Sequence, residues 1–211
     1  MKSILESTPV KKLANIPVLW NFAQNLIGAR AWKDEIYPSV FERTQGTFLD
    51  FGCSSGNETG MFLDFDYYGV DIDKEAISAA SEKFTEHEHV QFFAVNIIKD
   101  GFKKDFFDHV LFAGTAHHLR DEDLDAILDI LVTNLKPGGQ LHFFEPISQP
   151  EQDSKMTRFI IRSDQGKHTR TEATYKELFA KKGLHASEWK IFRSPDRFIK
   201  FPDFLYVRII K

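Results

Sequence analysis

From Thr47 onward, apolar runs of strand length alternate with stretches whose apolar residues recur at helical spacing. Residues 47–51 read as a first strand, followed by a helix over about 57–63, a second strand near 67–70, a third over 90–95 and a fourth over 106–113. The third and fourth are apolar enough to lie inside a sheet covered on both faces. Ile77, Ala80 and Phe84 keep helical spacing behind Asp73, a suitable N-cap. Leu124, Ile127, Leu128, Leu131 and Leu135 do so behind Asp121, a second predicted cap, with Pro137-Gly138-Gly139 as the expected stop. A fifth strand is predicted over 140–144. The chain then turns polar from Pro146 to Arg170 and recovers helical spacing through Tyr175, Leu178 and Phe179, with Thr171 or Thr174 as cap and Gly183 as stop. Two strand-like runs, 185–192 and 203–210, close the sequence around a turn near Ser194-Pro195-Asp196 and Pro202.

This alternation predicts an α/β domain, a parallel sheet with helices on both faces, over residues 45–211. Residues 1–44 form a separate helical segment in which Leu19, Phe22, Ala23, Leu26 and Ile27 share one side over 18–31. Such a segment serves either as a lid or as a helix packed on the sheet edge, because both carry the same amphipathic signature. The 21 phenylalanines are expected mainly in the core. One cysteine, Cys53, excludes an intrachain disulfide framework and fits a reducing, cytoplasmic setting, where it reads as a small turn residue. Charges and prolines interrupt the first 20 residues, so they supply neither a signal-peptide core nor a membrane span. A net charge of −4 argues against a large nucleic-acid footprint.

The chemistry concentrates where the first strand breaks into Gly52-Cys53-Ser54-Ser55-Gly56. Backbone can approach a ligand closely there, and Asp71, about 20 residues past Gly52, can bond a ribose diol. A dinucleotide fingerprint would place glycine where Ser54 and Asn57 stand, and Glu58 brings negative charge to where a pyrophosphate wants positive potential. A ligand with a cationic amino-acid end suits Asp50 better.

Asp50-x-Gly52-x-Ser54-x-Gly56 resembles the first motif of the class I S-adenosylmethionine-dependent methyltransferases, with serine for the usual middle glycine. Over 48–146 the other family elements follow in order, including Leu135-Lys136-Pro137-Gly138-Gly139. The resemblance implies a Rossmann-like seven-stranded sheet, mostly parallel with an antiparallel closing strand, and S-adenosyl-L-methionine as cofactor. It implies that Asp50 and the backbone of Gly52, Ser54 and Gly56 hold the methionine part and that Asp71 accepts the ribose hydroxyls. Asp73 competes for that role but suits helix capping. Ile72 would line adenine, Asn96 would meet its amino group, Ile97 would offer a backbone amide, and Gly114 opens the loop beside the reacting methyl. Asn96 also reads as a strand-end turn residue.

Gly114-Thr115-Ala116-His117-His118 lacks the Asn/Asp-Pro-Pro-aromatic motif of methyltransferases acting on exocyclic amines of nucleic acids, and its histidine pair is similar to that of relatives acting on small molecules. His117 is a candidate general base, although either histidine also suits a loop anchor, and a good nucleophile needs only positioning for in-line attack. Glu145, ending the fifth strand, is a second candidate, for substrate binding or a salt bridge to a loop. The segment 164–170 resembles an Asp-x-Gly-x-x-x-Arg pattern of small bacterial methyltransferases; its Asp164, His168 and Arg170 are candidate substrate ligands, Arg170 for a carboxylate or phosphate. The resulting expectation is O-methylation of a small molecule, with no metal ligand set assigned. A non-catalytic S-adenosylmethionine-binding protein and an NAD-dependent oxidoreductase are the alternatives, the latter disfavoured by the broken glycine fingerprint.

Overall fold

The computed structural model describes residues 37–41, 45–163, 166–193 and 202–211. The chain divides into two units, residues 1–44 and 45–211. In the first, residues 37–41 make a helical turn in which Phe41 N–H donates to Tyr37 O at 2.9 Å. The stretch 18–31 lies outside the described residues, as do Asp164 and the turn at 194–201.

The second unit is built on seven strands, β1 (Thr47–Phe51), β2 (Asp66–Asp71), β3 (Val90–Ala94), β4 (Phe107–Ala113), β5 (Leu135–Pro146), β6 (Ala186–Phe192) and β7 (Phe204–Ile210). They form one sheet in the order β3-β2-β1-β4-β5-β7-β6. β1 to β5 pair in parallel, and β7 runs antiparallel to both β5 and β6. The strand order reverses between β1 and β4, so the loops after these strands meet at a topological switch point, where open α/β sheets bind ligands.

The helices are α1 (Lys74–Lys83), α2 (Ile97–Asp100), α3 (Asp121–Asn134), α4 (Lys155–Ser163) and α5 (Glu172–Lys181). Strand alternation sends Leu49, Phe51, Val110, Phe112, Leu141 and Phe143 to one face, which α3 and α5 cover in a shared apolar core. The opposite face is more aromatic and more polar. Phe48 packs there on Phe62 and Phe65 (ring centroids 4.4 and 5.0 Å apart), and α1 places Phe84 on Phe92. His142, on this face, lies 3.1 Å from His109 Nδ1 and 2.9 Å from the Tyr206 hydroxyl. Burial, His109 and Arg208 hold its imidazole well below the ordinary range and therefore neutral.

Four local expectations change. The helix over 57–63 is a single 3₁₀ turn, Thr59–Met61. Its start has no side-chain cap, Thr59 is drawn to the Tyr67 hydroxyl at 2.9 Å, and so short a stretch containing Gly60 cannot offset the cost of helix nucleation. Pro137-Gly138-Gly139 does follow the end of α3, since Lys136, as the residue before a proline, is driven to extended backbone, but the three residues lie within β5, which begins at Leu135 and not at Gln140. Asp121 is not a cap: Arg120 holds that position without a side-chain bond, and Asp121 pairs with Arg170 instead. Finally, the polar stretch 146–170 contains α4, whose start is marked by Ser154 Oγ accepting Thr157 N–H at 3.0 Å. Elsewhere the caps follow expectation. Asp73 accepts the amides of Glu75 and Ala76, and Thr171 accepts that of Thr174.

Candidate functional site

The glycine turn leaves β1 with Gly52 N–H on Val70 O at 2.8 Å. Gly52, Ser54 and Gly56 have φ of 79°, 49° and 68°, so all three alternate positions are left-handed. A side chain at Gly52 would also strike Thr115, its Cβ lying 2.3 Å from Thr115 Oγ1. The loops after β1 and β4 are therefore in contact, which only glycine permits. Ser54 keeps the geometry of the missing glycine at some conformational cost.

Asp71 ties this turn to β2: one carboxylate oxygen accepts Ser54 N–H and the other Asp73 N–H, each at 2.9 Å. A carboxylate oxygen has two lone pairs, so both retain acceptor capacity. Asp50 is 5% exposed and accepts the Tyr67 hydroxyl at 2.6 Å, while Tyr67 in turn accepts from Thr59 at 2.9 Å. Burial, followed by Asp50, pushes the Tyr67 phenol well above its ordinary pKa and keeps it a donor. Burial, then Asp50 and Asp71, likewise raises the Cys53 thiol, leaving it no thiolate character.

Ile72 is 67% exposed just beyond Asp71, whereas Ile97 is buried, so only the backbone of Ile97 can meet a ligand. Its N–H stands at the first position of α2, where no intrahelical partner exists. Asn96 caps that helix, accepting Lys99 N–H at 3.3 Å, while its own N–H donates to Asp100 at 3.2 Å. Gly114, at φ 59°, donates to Phe144 O at 2.9 Å and has open space where a Cβ would stand.

Glu145 is fully buried at the end of β5, directed at the 3₁₀ turn Ala116–His118. Oε1 accepts the amides of Thr115 (2.5 Å) and Ala116 (2.7 Å); Oε2 accepts that of His117 (3.3 Å) and bonds its Nδ1 (2.8 Å). In a neutral ring, donation from Nδ1 puts the lone pair on Nε2. His117 is 6% exposed, and Gly166 lies so close that an added Cβ would sit 2.0 Å from the ring's Cδ2. His118 is exposed.

The guanidinium of Arg170 is turned into the fold, and this corrects the expectation of a substrate anion ligand. Its Nε and Nη2 donate to Asp121 Oδ1 (2.9 and 2.6 Å), Nη2 also to Leu119 O (2.7 Å), and Nη1 to Ala116 O (2.9 Å) and His168 O (3.0 Å). These bonds use all five donors of the side chain. His168 adds a backbone bond to His117 O at 2.9 Å. Tyr67, Thr115 and Asp121 are parts of the site that sequence reasoning did not assign to it. Tyr67 carried a weak signal, a strand tyrosine two residues before Gly69; Thr115 and Asp121 become evident only when distant loops meet. Among the described residues, no group of three or more His, Cys, Asp or Glu side chains is placed to hold a metal ion, and no helix is long and apolar enough to cross a membrane.

Residues 49–141 match the family described as a methyltransferase domain. An uncharacterized methyltransferase of Bacillus cytotoxicus is 28% identical over 122 residues, which is 54% of this chain; the chain spans about half of that relative, 53% of its length. A solved S-adenosylmethionine-dependent methyltransferase of Methanosarcina mazei has a TM-score of 0.67 at 18% identity, covering 83% of this chain and 97% of its own. The N-methyltransferase NodS of Bradyrhizobium japonicum, solved with S-adenosyl-L-homocysteine, has a TM-score of 0.61 at 20% identity, covering 79% and 78%. Residues 49–141 thus match a methyltransferase domain, and the chain shares its fold, a seven-stranded mixed sheet, with solved S-adenosylmethionine-dependent methyltransferases.

Proposed function

We propose that residues 45–211 transfer a methyl group from S-adenosyl-L-methionine to a hydroxyl of a small molecule in the reducing cytoplasm. The observation that carries the reading is the left-handed run Gly52–Ser54–Gly56 with Asp71 beneath it, at the switch point of the sheet. Asp50 and the turn backbone would receive the amino-acid end, Asp71 the ribose hydroxyls, Ile72 one adenine face, and Asn96 with the Ile97 amide the adenine edge. The open space at Gly114 suits the sulfonium end. The cofactor supplies an electrophilic methyl, so the protein's task is to align the acceptor oxygen and take its proton. His117 is the group assigned to that proton, at Nε2, with Glu145 fixing the ring through Nδ1. Access to Nε2 passes the backbone at Gly166, which makes the 166–170 loop part of acceptor selection. A small acceptor is favoured by the post-β4 loop, which lacks the nucleic-acid amine motif, and by the net charge of −4.

Calorimetric titration with S-adenosylhomocysteine, with NAD as control, tests the reading. Micromolar binding of the former alone is expected. NAD binding, or binding of neither, overturns it, while binding without turnover on any acceptor in a panel of hydroxyl compounds leaves only a binding protein.

A further inference from the structure

The turn after β4 is gripped from two sides by opposite charges. The Glu145 carboxylate takes the amides of Thr115, Ala116 and His117 at its start, and the Arg170 guanidinium takes the carbonyls of Ala116 and Leu119 toward its end. This matches the polarity of a helical turn, negative charge at the amides and positive at the carbonyls. Neither residue is close to the turn in sequence. Glu145 ends β5, and Arg170 lies just before α5, where its own carbonyl accepts Ser148 N–H at 3.0 Å. The grip therefore ties three separate segments around His117. Asp121 completes it from the first residue of α3, with its side chain 86% exposed while that of Arg170 is 7% exposed.

We infer that Arg170 is a positioning residue for methyl transfer: it fixes the turn that carries His117 and, through the 168–170 backbone, the loop lying over that histidine. It does not bind an anionic substrate, since any such anion would have to displace bonds that all five donors already make. A lysine cannot replace it, because an ammonium group has three donors and no planar fork. The inference rests on the methyl-transfer reading only in treating His117 as part of the reacting site.

The test is the ¹⁵N NMR signature of the His117 imidazole, recorded for the full chain and for Arg170→Lys and Asp121→Asn, alongside calorimetry with S-adenosylhomocysteine. In the wild type a single Nδ1-protonated tautomer is expected. Arg170→Lys should lose that signature and Asp121→Asn should weaken it, with S-adenosylhomocysteine affinity unchanged in both, because the bonds of Arg170 go to Ala116, Leu119, Asp121 and His168, none of which is assigned to the cofactor. A residue that merely added stability would leave the ring signature as it is. An unchanged signature in both variants overturns the inference, as does loss of S-adenosylhomocysteine affinity with the signature intact. If Arg170→Lys does not fold, Asp121→Asn decides alone, since its exposed side chain is not part of the core. Failure of the wild type to bind S-adenosylhomocysteine would sink the proposed function instead, and the His117 signature would remain readable.

Discussion

The two halves of the candidate site are built on different principles. On the side of β1, β2 and β3, the groups assigned to the cofactor are backbone amides and carboxylates fixed by hydrogen-bond partners 2 to 18 positions away: Asp71 with Asp73 and Ser54, Asn96 with Lys99, Asp50 with Tyr67, and the left-handed turn from Gly52 to Gly56 on Val70. On the side of β4 and β5, the polar residues are fixed by partners 28 to 54 positions away, as in Glu145 with His117 and Arg170 with Ala116. The first half is a set of local conformations with spare hydrogen-bonding capacity. The second is a long-range polar network whose donors and acceptors are largely taken up by the fold itself. Near the switch point, polar residues on one side thus keep acceptor capacity, while those on the other hold distant loops together.

The largest effect expected from this contrast is at Glu145. Glu145→Ala leaves three amides and His117 without their common acceptor, and loss of one side of so buried a group should cost about 3–5 kcal/mol of stability. Urea unfolding would show the loss as a lower midpoint. A cost below about 1 kcal/mol would mean that water or other groups replace the carboxylate, and the second half would no longer count as an architectural network.

Asp71→Ala should act in the opposite sense, on the ligand more than on the fold. Loss of two charge-assisted bonds to ribose should weaken S-adenosylhomocysteine binding by about 1.5–3 kcal/mol. The variant also frees the amides of Ser54 and Asp73, but both lie at exposed positions where water can take them. Calorimetry measures the affinity and thermal unfolding the stability; unchanged affinity would remove Asp71 from the ribose role and erase the contrast with Glu145.

This difference also explains what could be read from the sequence. The parallel sheet follows from the alternation of apolar runs and its antiparallel closing strand from the family resemblance, and Asp73 was legible as a cap because a cap is a relation between residues two or three apart. Asp121 looked equally like a cap, yet its carboxylate goes to Arg170, 49 positions away, and no spacing rule reports such a partner. Arg170 was legible as important and misread in kind. A buried, fully bonded guanidinium and a substrate clamp have the same letter in the chain, and only the positions of the carbonyls of Ala116, Leu119 and His168 separate them. α4 was missed for a different reason: its exposed Met156 and Phe159 are interleaved with Lys155, Arg158 and Arg162, which reads as a polar loop unless Ser154 is recognised as its start.

The smallest effect distinguishes conformation from chemistry within the first half. Ser54 holds φ at 49°, where an L-residue is disfavoured by about 1–2 kcal/mol. Glycine removes that penalty but raises the entropy of the unfolded chain, which returns about 0.5–1 kcal/mol of the gain. Ser54→Gly should therefore stabilise the protein slightly, by about 0.5–1 kcal/mol, and leave S-adenosylhomocysteine affinity intact. The reason is that Ser54 holds Asp71 through its backbone N–H, which glycine also has. If affinity falls, the hydroxyl itself contacts the ligand, and the turn differs from the usual glycine-rich motif in chemistry as well as in strain. If stability falls instead, the left-handed conformation is held so firmly by Asp71 and the Val70 carbonyl that serine's narrower unfolded ensemble outweighs its strain.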